Sequence, residues 1–423
     1  MPVSFVRRLV LSTALAALAT APALAATPEE TAAAALRAAP MWDGHNDVPE
    51  QLRERRKNVL AGFDFRDTTG TADPASGAIA MHTDLTRLRQ GKVGAQFWSV
   101  YVSARLTEQQ AVQAVMEQID VTKRLIAAYP ADLQFATSSA EVQAAMKAGK
   151  IASLMGMEGG YAIGSSLGVL RQFHALGVRY MTLTHVRTIG WADSATDAPR
   201  HGGLSDFGKD VVREMQRIGM LVDLSHVSED TMMDALDVAR APVIFSHSGA
   251  RAVDDHPRNV PDAVLARMKA NGGIVMVVTL PSYVSSRVRE WDLARTAQRA
   301  RLDALHIADP KRAAAELAAW VKANPTPRAT LGELADHVDR VVKVAGIDHV
   351  GLGADFDGMD STTEGLPDVS GYPALFVELA RRGYSQADLQ KISSGNMMRV
   401  LKAAEAYAAA HKGDPAIESP TAF

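Results

Sequence analysis

The stretch GMLVDLSHVSEDTMMDALDVARAPVIFSH, residues 219–247, contains the repeating unit of the fold. Two short apolar runs, 219–226 and 241–247, each end in Ser-His, and the segment between them has the apolar spacing of a helix. A strand, a helix and a second strand of this kind indicate two parallel strands joined by a crossover helix. The two histidines are therefore expected at the same edge of a parallel sheet.

The same unit recurs on both sides of this stretch. Eight apolar runs bounded by turn residues are strand candidates: 39–44, 93–101, 151–158, 178–185, 219–226, 241–247, 272–280 and 348–355. Helix-like stretches separate most of them, and eight alternating strands and helices predict an α/β fold, the closed (β/α)8 barrel of the TIM type. No Pro/Gly/Ser-rich linker interrupts the chain, which favours one domain over residues 26–411, followed by a tail at 412–423.

The interval after the seventh strand candidate is longer than one crossover needs. Two charged helices are predicted at about 283–325, and Thr330 with Glu333 forms a capping box for the helix that follows them. We interpret the two helices as an insertion after strand 7. A lid, a subunit contact and a solvated decoration are all compatible with this pattern.

The N-terminal residues predict export. Arg7 and Arg8 precede an apolar run, 9–19, and Ala23-Leu24-Ala25 is a small-x-small cleavage pattern, so residues 1–25 are interpreted as a signal peptide cleaved near Ala25. The apolar run is short for a membrane anchor, and no second long run follows it. The mature chain is expected to be secreted, with the periplasm as its compartment, by either the general or the twin-arginine route.

Charge and cysteine content narrow the classes of partner. Residues 1–25 carry two arginines and no acid, so their removal changes the formal charge from −3 to −5. Nucleic-acid binding is not expected, because the phosphate backbone requires a basic face. The chain has no cysteine, so it can form no disulfide, and any metal ion must be held by His, Asp and Glu.

Seven polar side chains fall at or just after the carboxyl ends of the predicted strands, where such a barrel presents its reactive groups. They are His45, Asp47, Glu158, His185, His226, His247 and Asp355. Taken singly, each has an ordinary explanation, such as a hydrogen-bonded histidine or an aspartate that starts a turn. Taken together, they predict a metal site, because convergent polar groups at the end of apolar strands would otherwise stay unpaired.

The number and type of these groups predict two ions. Three carboxylates and four imidazoles exceed the needs of one four-coordinate ion with an open position. Two ions roughly 3.5–4 Å apart that share a carboxylate would use them better. Nitrogen and oxygen ligands without sulfur suit Zn²⁺, with Mn²⁺ or Co²⁺ as alternatives, so two Zn²⁺ ions are the expected cofactors.

Seven motifs in this chain resemble those of the membrane (renal-type) dipeptidases, a binuclear zinc branch of the amidohydrolase superfamily. They are DGHNDVP, MEGG, TLTH, VDLSHVS, PVIFSHS, RNVPD and GLGADFDG, in this order, and the likeness runs from about Trp42 to Leu401. The resemblance implies that His45 and Asp47 bind one zinc and that His226 and His247 bind the other. It implies that Glu158 bridges both ions.

The resemblance also implies the roles of three further residues and the reaction. Asp355 would transfer the proton, His185 would hold the substrate and the developing oxyanion, and Arg258 would bind the dipeptide carboxylate. The implied reaction is hydrolysis of L-Xaa-L-Xaa and also L-Xaa-D-Xaa dipeptides by a hydroxide held between the ions. A homodimer is implied as well, whereas the lipid anchor of the mammalian forms is not expected because the chain has no suitable tail.

Two other classes of function remain open from the sequence. The same site could hydrolyse another amide, such as a β-lactam or an N-acyl amino acid, because its nucleophile attacks any carbonyl that the pocket admits. Outside enzymes, the chain could be an exported binding or metal-storage barrel. An assay of metal content and of amino-acid release from a dipeptide would discriminate between these classes.

Overall fold

The strands form a closed parallel barrel. The computed structural model describes residues 1–4 and 26–419, so the predicted signal peptide lies, apart from its first residues, outside the described part of the chain. Eight strands close the ring in the order β2, β1, β9, β8, β7, β6, β5, β4, with β4 paired back to β2. This ring confirms the predicted (β/α)8 barrel. The strands are β1 (Met41–Asn46), β2 (Val93–Ser99), β3 (Leu133–Phe135), β4 (Ile151–Glu158), β5 (Val178–Thr182), β6 (Leu221–Asp223), β7 (Ile244–Phe245), β8 (Ile274–Val277) and β9 (Val350–Leu352).

Helices cover the outside of the ring and connect its strands. Most begin at a Ser, Thr or Asp whose side chain accepts a hydrogen bond from the first turn, as Thr107 and Ser228 do. The helices are α1 (Pro28–Ala38), α2 (Val48–Arg56), α3 (Leu85–Gln90), α4 (Glu108–Ala128), α5 (Ser139–Lys147), α6 (Leu167–Ala175), α7 (Asp206–Ile218), α8 (Glu229–Val238), α9 (Asp262–Asn271), α10 (Pro281–Val284), α11 (Ser286–Leu305), α12 (Pro310–Ala323), α13 (Leu331–Ala345), α14 (Tyr372–Arg381), α15 (Gln386–Gln390) and α16 (Asn396–Ala410). None of the helices in the described ranges is both long and apolar enough to span a bilayer.

A ninth strand, β3, was not predicted. Leu133–Phe135 pairs with residues 151–153 of β4. It lies on the same edge of β4 as β5, which pairs with β4 from Met155 onward. The strand therefore extends the sheet at one end and does not enter the ring. Three residues with two apolar side chains are too few to show a strand period.

Six of the eight ring strands are shorter than predicted, whereas β1 and β4 have the predicted length. One buried carboxylate explains where two of the shorter strands end. Asp223, the last residue of β6, accepts hydrogen bonds from the backbone N–H groups of Ser225 and Ser246 at 3.0 and 2.8 Å. The side chain thus replaces strand-to-strand hydrogen bonds at this level. His226 and His247 consequently lie in the loops just beyond β6 and β7 and not inside the strands.

The interval between β8 and β9 contains α10 to α13. Helices α11 and α12 contact each other through Trp291 and Trp320, whose ring centroids are 6.0 Å apart, and the Trp291 indole donates to the Asn324 carbonyl. Thr330 and Glu333 form the predicted capping box at the start of α13. Leu293 and Leu305 of α11 are each 60% exposed.

Candidate metal centre

Glu158, the last residue of β4, lies at the centre of the polar cluster at the carboxyl mouth of the barrel. Its Oε1 is 2.9 Å from His226 Nε2 and 3.4 Å from His247 Nε2. Its other oxygen, Oε2, is 3.4 Å from His45 Nε2. One oxygen of this carboxylate therefore faces His226 and His247, and the other faces His45.

The remaining predicted residues surround this carboxylate. His45 Nε2 is 3.3 Å from Asp47 Oδ2 and 4.0 Å from Asp355 Oδ1, and His185 Nε2 is 3.8 Å from Glu158 Oε1. Among residues 1–4 and 26–419, three groups of side chains have ligand atoms within 4.8 Å of one another, and two of these groups contain Glu158. The structure thus brings all seven predicted side chains together: His45, Asp47, Glu158, His185, His226, His247 and Asp355.

Hydrogen bonds to Ser246 determine which ring nitrogen of His247 carries the proton and which presents a lone pair to the cluster. Ser246 donates its hydroxyl proton to Asp223 Oδ2 at 2.6 Å, so the same hydroxyl must accept from His247 Nδ1, 2.8 Å away. With its proton on Nδ1, His247 directs a bare Nε2 toward His226 Nε2, at 2.9 Å. Two imidazole nitrogens and a carboxylate oxygen this close together form a set of ligand atoms that suits a metal cation.

His45 is positioned by a tyrosine from across the barrel. The Tyr180 hydroxyl is 2.7 Å from His45 Nδ1, which leaves Nε2 directed at the carboxylates, without a hydrogen-bond partner among the described residues. The Tyr180 ring fills the space beside Gly156 of β4, where any Cβ atom would overlap it. Gly156 therefore allows the close approach that orients His45.

Two of the site residues have backbones in the left-handed region. His226 has φ of 67° and Asp355 has φ of 70°. This conformation is uncommon for residues other than glycine, and the surrounding structure must hold it in place. Each of these residues follows a strand end. The turn at His226 brings its Nε2 to 2.9 Å from Glu158 Oε1, and the turn at Asp355 brings its Oδ1 to 4.0 Å from His45 Nε2.

The protonation states of the cluster suit metal binding. Burial lowers the pKa of both His226 and His247, and the positive charge of Arg258 lowers that of His226 further. Burial alone would raise the pKa of Glu158, but His45 and His185 hold it well below its ordinary value. At neutral pH His226 and His247 are therefore neutral and Glu158 is ionised, which are the forms that bind metal ions. His45 differs, because burial is outweighed by Tyr180 and the carboxylates of Asp47 and Glu158, which raise its pKa well above the ordinary value, so a metal ion that binds its Nε2 would displace a proton.

The pKa of Asp355 is shifted in the opposite direction. Burial raises it well above the ordinary value, and the neighbouring Asp47 carboxylate raises it further. Gly358, three residues later, has no room for a side chain, because a Cβ atom would lie 2.4 Å from Asp47 Oδ2 and 2.7 Å from Asp355 Oδ1. The chain therefore passes directly over these two carboxylates.

A cavity of about 290 Å³ opens onto the cluster and also contains Arg258. Arg258 is 1% exposed and lies over the Tyr283 ring at 5.4 Å. Its two terminal nitrogens make long hydrogen bonds of 3.4 and 3.3 Å to Ser248 Oγ and the His247 carbonyl, and its Nε has no partner among the described residues. A buried guanidinium bonded only to neutral groups favours an anion in the cavity.

Several residues of the site were not identified from the sequence. Tyr101 packs against His185 with ring centroids 4.8 Å apart, and Glu50 of α2 lines the same cavity. Burial raises the pKa of Glu50 to about 9, and Asp47 and Glu158 add to the rise. Their sequence contexts contain no motif that separates them from ordinary core or surface residues.

Comparisons with known proteins agree on one family. Residues 29–414 match the family described as Membrane dipeptidase (Peptidase family M19). The dipeptidase tcpJ of Claviceps purpurea is 42% identical over 380 residues, which is 88% of this chain and 78% of that protein. Dipeptidase 3 of Macaca fascicularis is 40% identical and is covered over 67% of its length, by 88% of this chain. The crystal structure of the probable dipeptidase PvdM from Pseudomonas aeruginosa superposes with a TM-score of 0.76, at 26% identity, over 90% of this chain and 99% of that one.

Proposed function

Because this chain belongs to the membrane dipeptidase family, peptidase family M19, and is a metallo-dipeptidase, we propose that it is an exported enzyme with a binuclear zinc centre. The observation that supports two ions is the position of Glu158, with one oxygen facing His226 and His247 and the other facing His45. His45 and Asp47 would hold one ion, His226 and His247 the other, and Glu158 both. Export is supported by the pattern of residues 1–25.

The residues around the centre fit the hydrolysis of a peptide bond. When bound, zinc ions lower the pKa of water toward neutrality and polarise a carbonyl group. Asp355, whose pKa burial raises, is suited to take a proton from the attacking water and to return it to the leaving amine. His185 Nε2 lies at the cavity wall, where it can donate to the oxyanion of the tetrahedral intermediate.

Arg258 provides the selectivity for a dipeptide. Its guanidinium forms no ion pair with a described carboxylate and lies in the same cavity as the metal cluster, so it would bind the C-terminal carboxylate of the substrate. Because Arg258 lines the same cavity as the metal cluster, a C-terminal carboxylate bound there would leave room for only one residue after the scissile bond. The terminal carboxylate and the scissile amide are present whether the C-terminal residue is L or D, which supports cleavage of both L,L and L,D dipeptides.

Replacing Arg258 by lysine should raise KM for Ala-Ala by about 10- to 100-fold, because an ammonium group cannot reproduce the two-pronged guanidinium contact. We expect kcat to change much less, because Arg258 would contact the terminal carboxylate of the substrate and not the scissile bond. Steady-state kinetics on zinc-loaded protein would measure both constants. Unchanged KM would contradict the carboxylate-binding role.

The proposed function is tested by incubating the zinc-loaded protein with a panel of L,L and L,D dipeptides, N-acetyl amino acids and a β-lactam. We expect release of free amino acids from the dipeptides and much slower turnover of the other two classes. Faster turnover of N-acetyl amino acids or of the β-lactam would replace the dipeptide assignment by one of the alternatives. Metal binding without turnover of any amide would indicate a storage or binding protein. The homodimer implied by the family resemblance stays a prediction, for which the mass of the protein in solution is the test.

A further inference from the structure

A second and larger cavity adjoins the one at the metal centre. This outer cavity has a volume of about 860 Å³ and lies between α2, the segment 70–82 and the segment 357–360. The metal cavity and the outer cavity have two lining residues in common, Glu50 and Gly358. Because Gly358 has no side chain, Glu50 is the only side chain in the described part of the protein that lines both spaces.

The outer cavity has an excess of negative charge. Glu50 and Glu54 lie one turn apart on α2, and Asp73 and Asp360 contribute two more carboxylates. The charged groups that act most strongly on Glu50 are themselves carboxylates, namely Asp47, Glu158, Glu54 and Asp355. No cation of the described residues is paired with Glu50, so this carboxyl, whose pKa burial and the neighbouring carboxylates raise to about 9, gives up its proton when a positive group approaches it.

The two arginines of the outer cavity, Arg55 and Arg56, offset only part of this charge, because five carboxyl groups line the same space. Both guanidinium groups are held by backbone carbonyls. Arg55 donates to the carbonyls of Thr71 and Ile79, and Arg56 donates to those of Val59 and Ala61.

A second observation also favours a cationic ligand. Asp357 lines the outer cavity and is 4% exposed, yet its Oδ2 accepts no hydrogen bond from the described residues. A buried carboxylate oxygen without a donor is costly unless a positive group approaches it.

The position of the outer cavity identifies the part of the substrate that would reach it. Arg258 follows β7, whereas Glu50 and Gly358 follow β1 and β9, and β7 is three places from β1 around the ring. If the C-terminal carboxylate lies at Arg258 and the scissile bond at Glu158, the N-terminal residue of the dipeptide points toward Glu50 and Gly358.

We propose that the outer cavity is the subsite for the side chain of the N-terminal residue, and that Glu50 selects a basic side chain, lysine or arginine, at that position. The inference rests on the proposed dipeptidase function and specifies its substrate class. A lysine side chain entering past Gly358 would meet Glu50 first and Glu54 one helical turn further out. An acidic N-terminal residue would be repelled by the same carboxylates.

The test compares Lys-Ala with norleucyl-Ala, which has a side chain of similar length without the charge. On zinc-loaded wild-type protein we expect kcat/KM for Lys-Ala to exceed that for norleucyl-Ala about tenfold, the effect of one partly buried charge-assisted contact. Glu50→Gln should bring this ratio close to one. Glu54→Gln should lower it about two- to threefold, because Glu54 is exposed and its charge is screened. Glu290→Gln, which removes an exposed charge from α11, is the matched control and should leave the ratio unchanged.

A measurement that needs no variant accompanies this comparison. Free L-lysine should inhibit the wild-type enzyme about tenfold more strongly than free L-norleucine, since each is the amino acid released from the N-terminal side.

The outcomes separate this inference from the proposed function. A wild-type ratio of one or less, with norleucyl-Ala still cleaved, overturns the basic subsite and leaves the dipeptidase assignment intact. A ratio that Glu50→Gln does not lower overturns the role of Glu50. If no dipeptide is cleaved at all, the proposed function itself fails.

Discussion

Replacing Glu158 by glutamine is expected to abolish metal binding and hydrolysis together, with a fall in kcat/KM of at least about 10⁴-fold, equivalent to about 5.5 kcal/mol of transition-state stabilisation. Glutamine has the shape of glutamate, but it lacks the charge, and one of its two terminal atoms donates where the carboxylate accepts. Glu158 Oε1 lies 2.9 Å from His226 Nε2, and Oε2 lies 3.4 Å from His45 Nε2. Loss of this one carboxylate would therefore remove a ligand from both halves of the proposed centre.

Metal content by mass spectrometry and turnover of Ala-Ala should be measured on the same preparation, with circular dichroism to show that the barrel is folded. Glu290→Gln is the control for the loss of one negative charge, and it should retain both metal and activity. A folded Glu158→Gln protein that keeps its metal and its turnover would contradict the assignment of Glu158.

Asp355→Asn is expected to lower kcat by about 10²- to 10⁴-fold, the usual contribution of a group that transfers protons, while the protein keeps its metal. Asparagine tolerates the left-handed conformation that Asp355 adopts, with φ of 70°, so the backbone should be preserved. The proposed ligands would all remain to hold the ions, namely His45, Asp47, Glu158, His226 and His247.

The pH profile distinguishes proton transfer from a structural effect of Asp355→Asn. If Asp355 takes the proton of the attacking water, it must be ionised, so wild-type kcat should decline as the pH falls through the pKa of this residue. The variant should lack this decline. If Asp355→Asn instead loses metal in proportion to activity, Asp355 is a ligand and not the proton-transferring group.

The fold could be predicted from the sequence because each strand of the ring is a short apolar run followed by a helix. The prediction missed β3, since three residues carry no measurable period, and it made β6 and β7 too long. Their ends are set by Asp223, whose carboxylate binds backbone N–H groups of two neighbouring segments. Contacts of this kind depend on which strands are neighbours, which a single sequence pattern does not specify.

The metal cluster was predictable for a different reason. A histidine or a glutamate at the end of an apolar strand is conspicuous in a sequence, and a barrel brings all strand ends to one mouth. The residues that orient the cluster were not predictable, because Tyr180 has the pattern of a core residue and Gly358 that of a turn. Their roles follow from distances across the barrel, 2.7 Å from Tyr180 to His45 and 2.4 Å from a Cβ at Gly358 to Asp47. Glu50 was missed because α2 has several charged residues and only one of them lines both cavities.

The most direct test of the binuclear centre is the anomalous scattering of crystals of the zinc-loaded protein, recorded on both sides of the zinc absorption edge. Two peaks are expected at the mouth of the barrel, one in contact with His45 and Asp47 and the other with His226 and His247, with the Glu158 carboxylate touching both. A single peak, or peaks that Glu158 does not contact, would contradict the account.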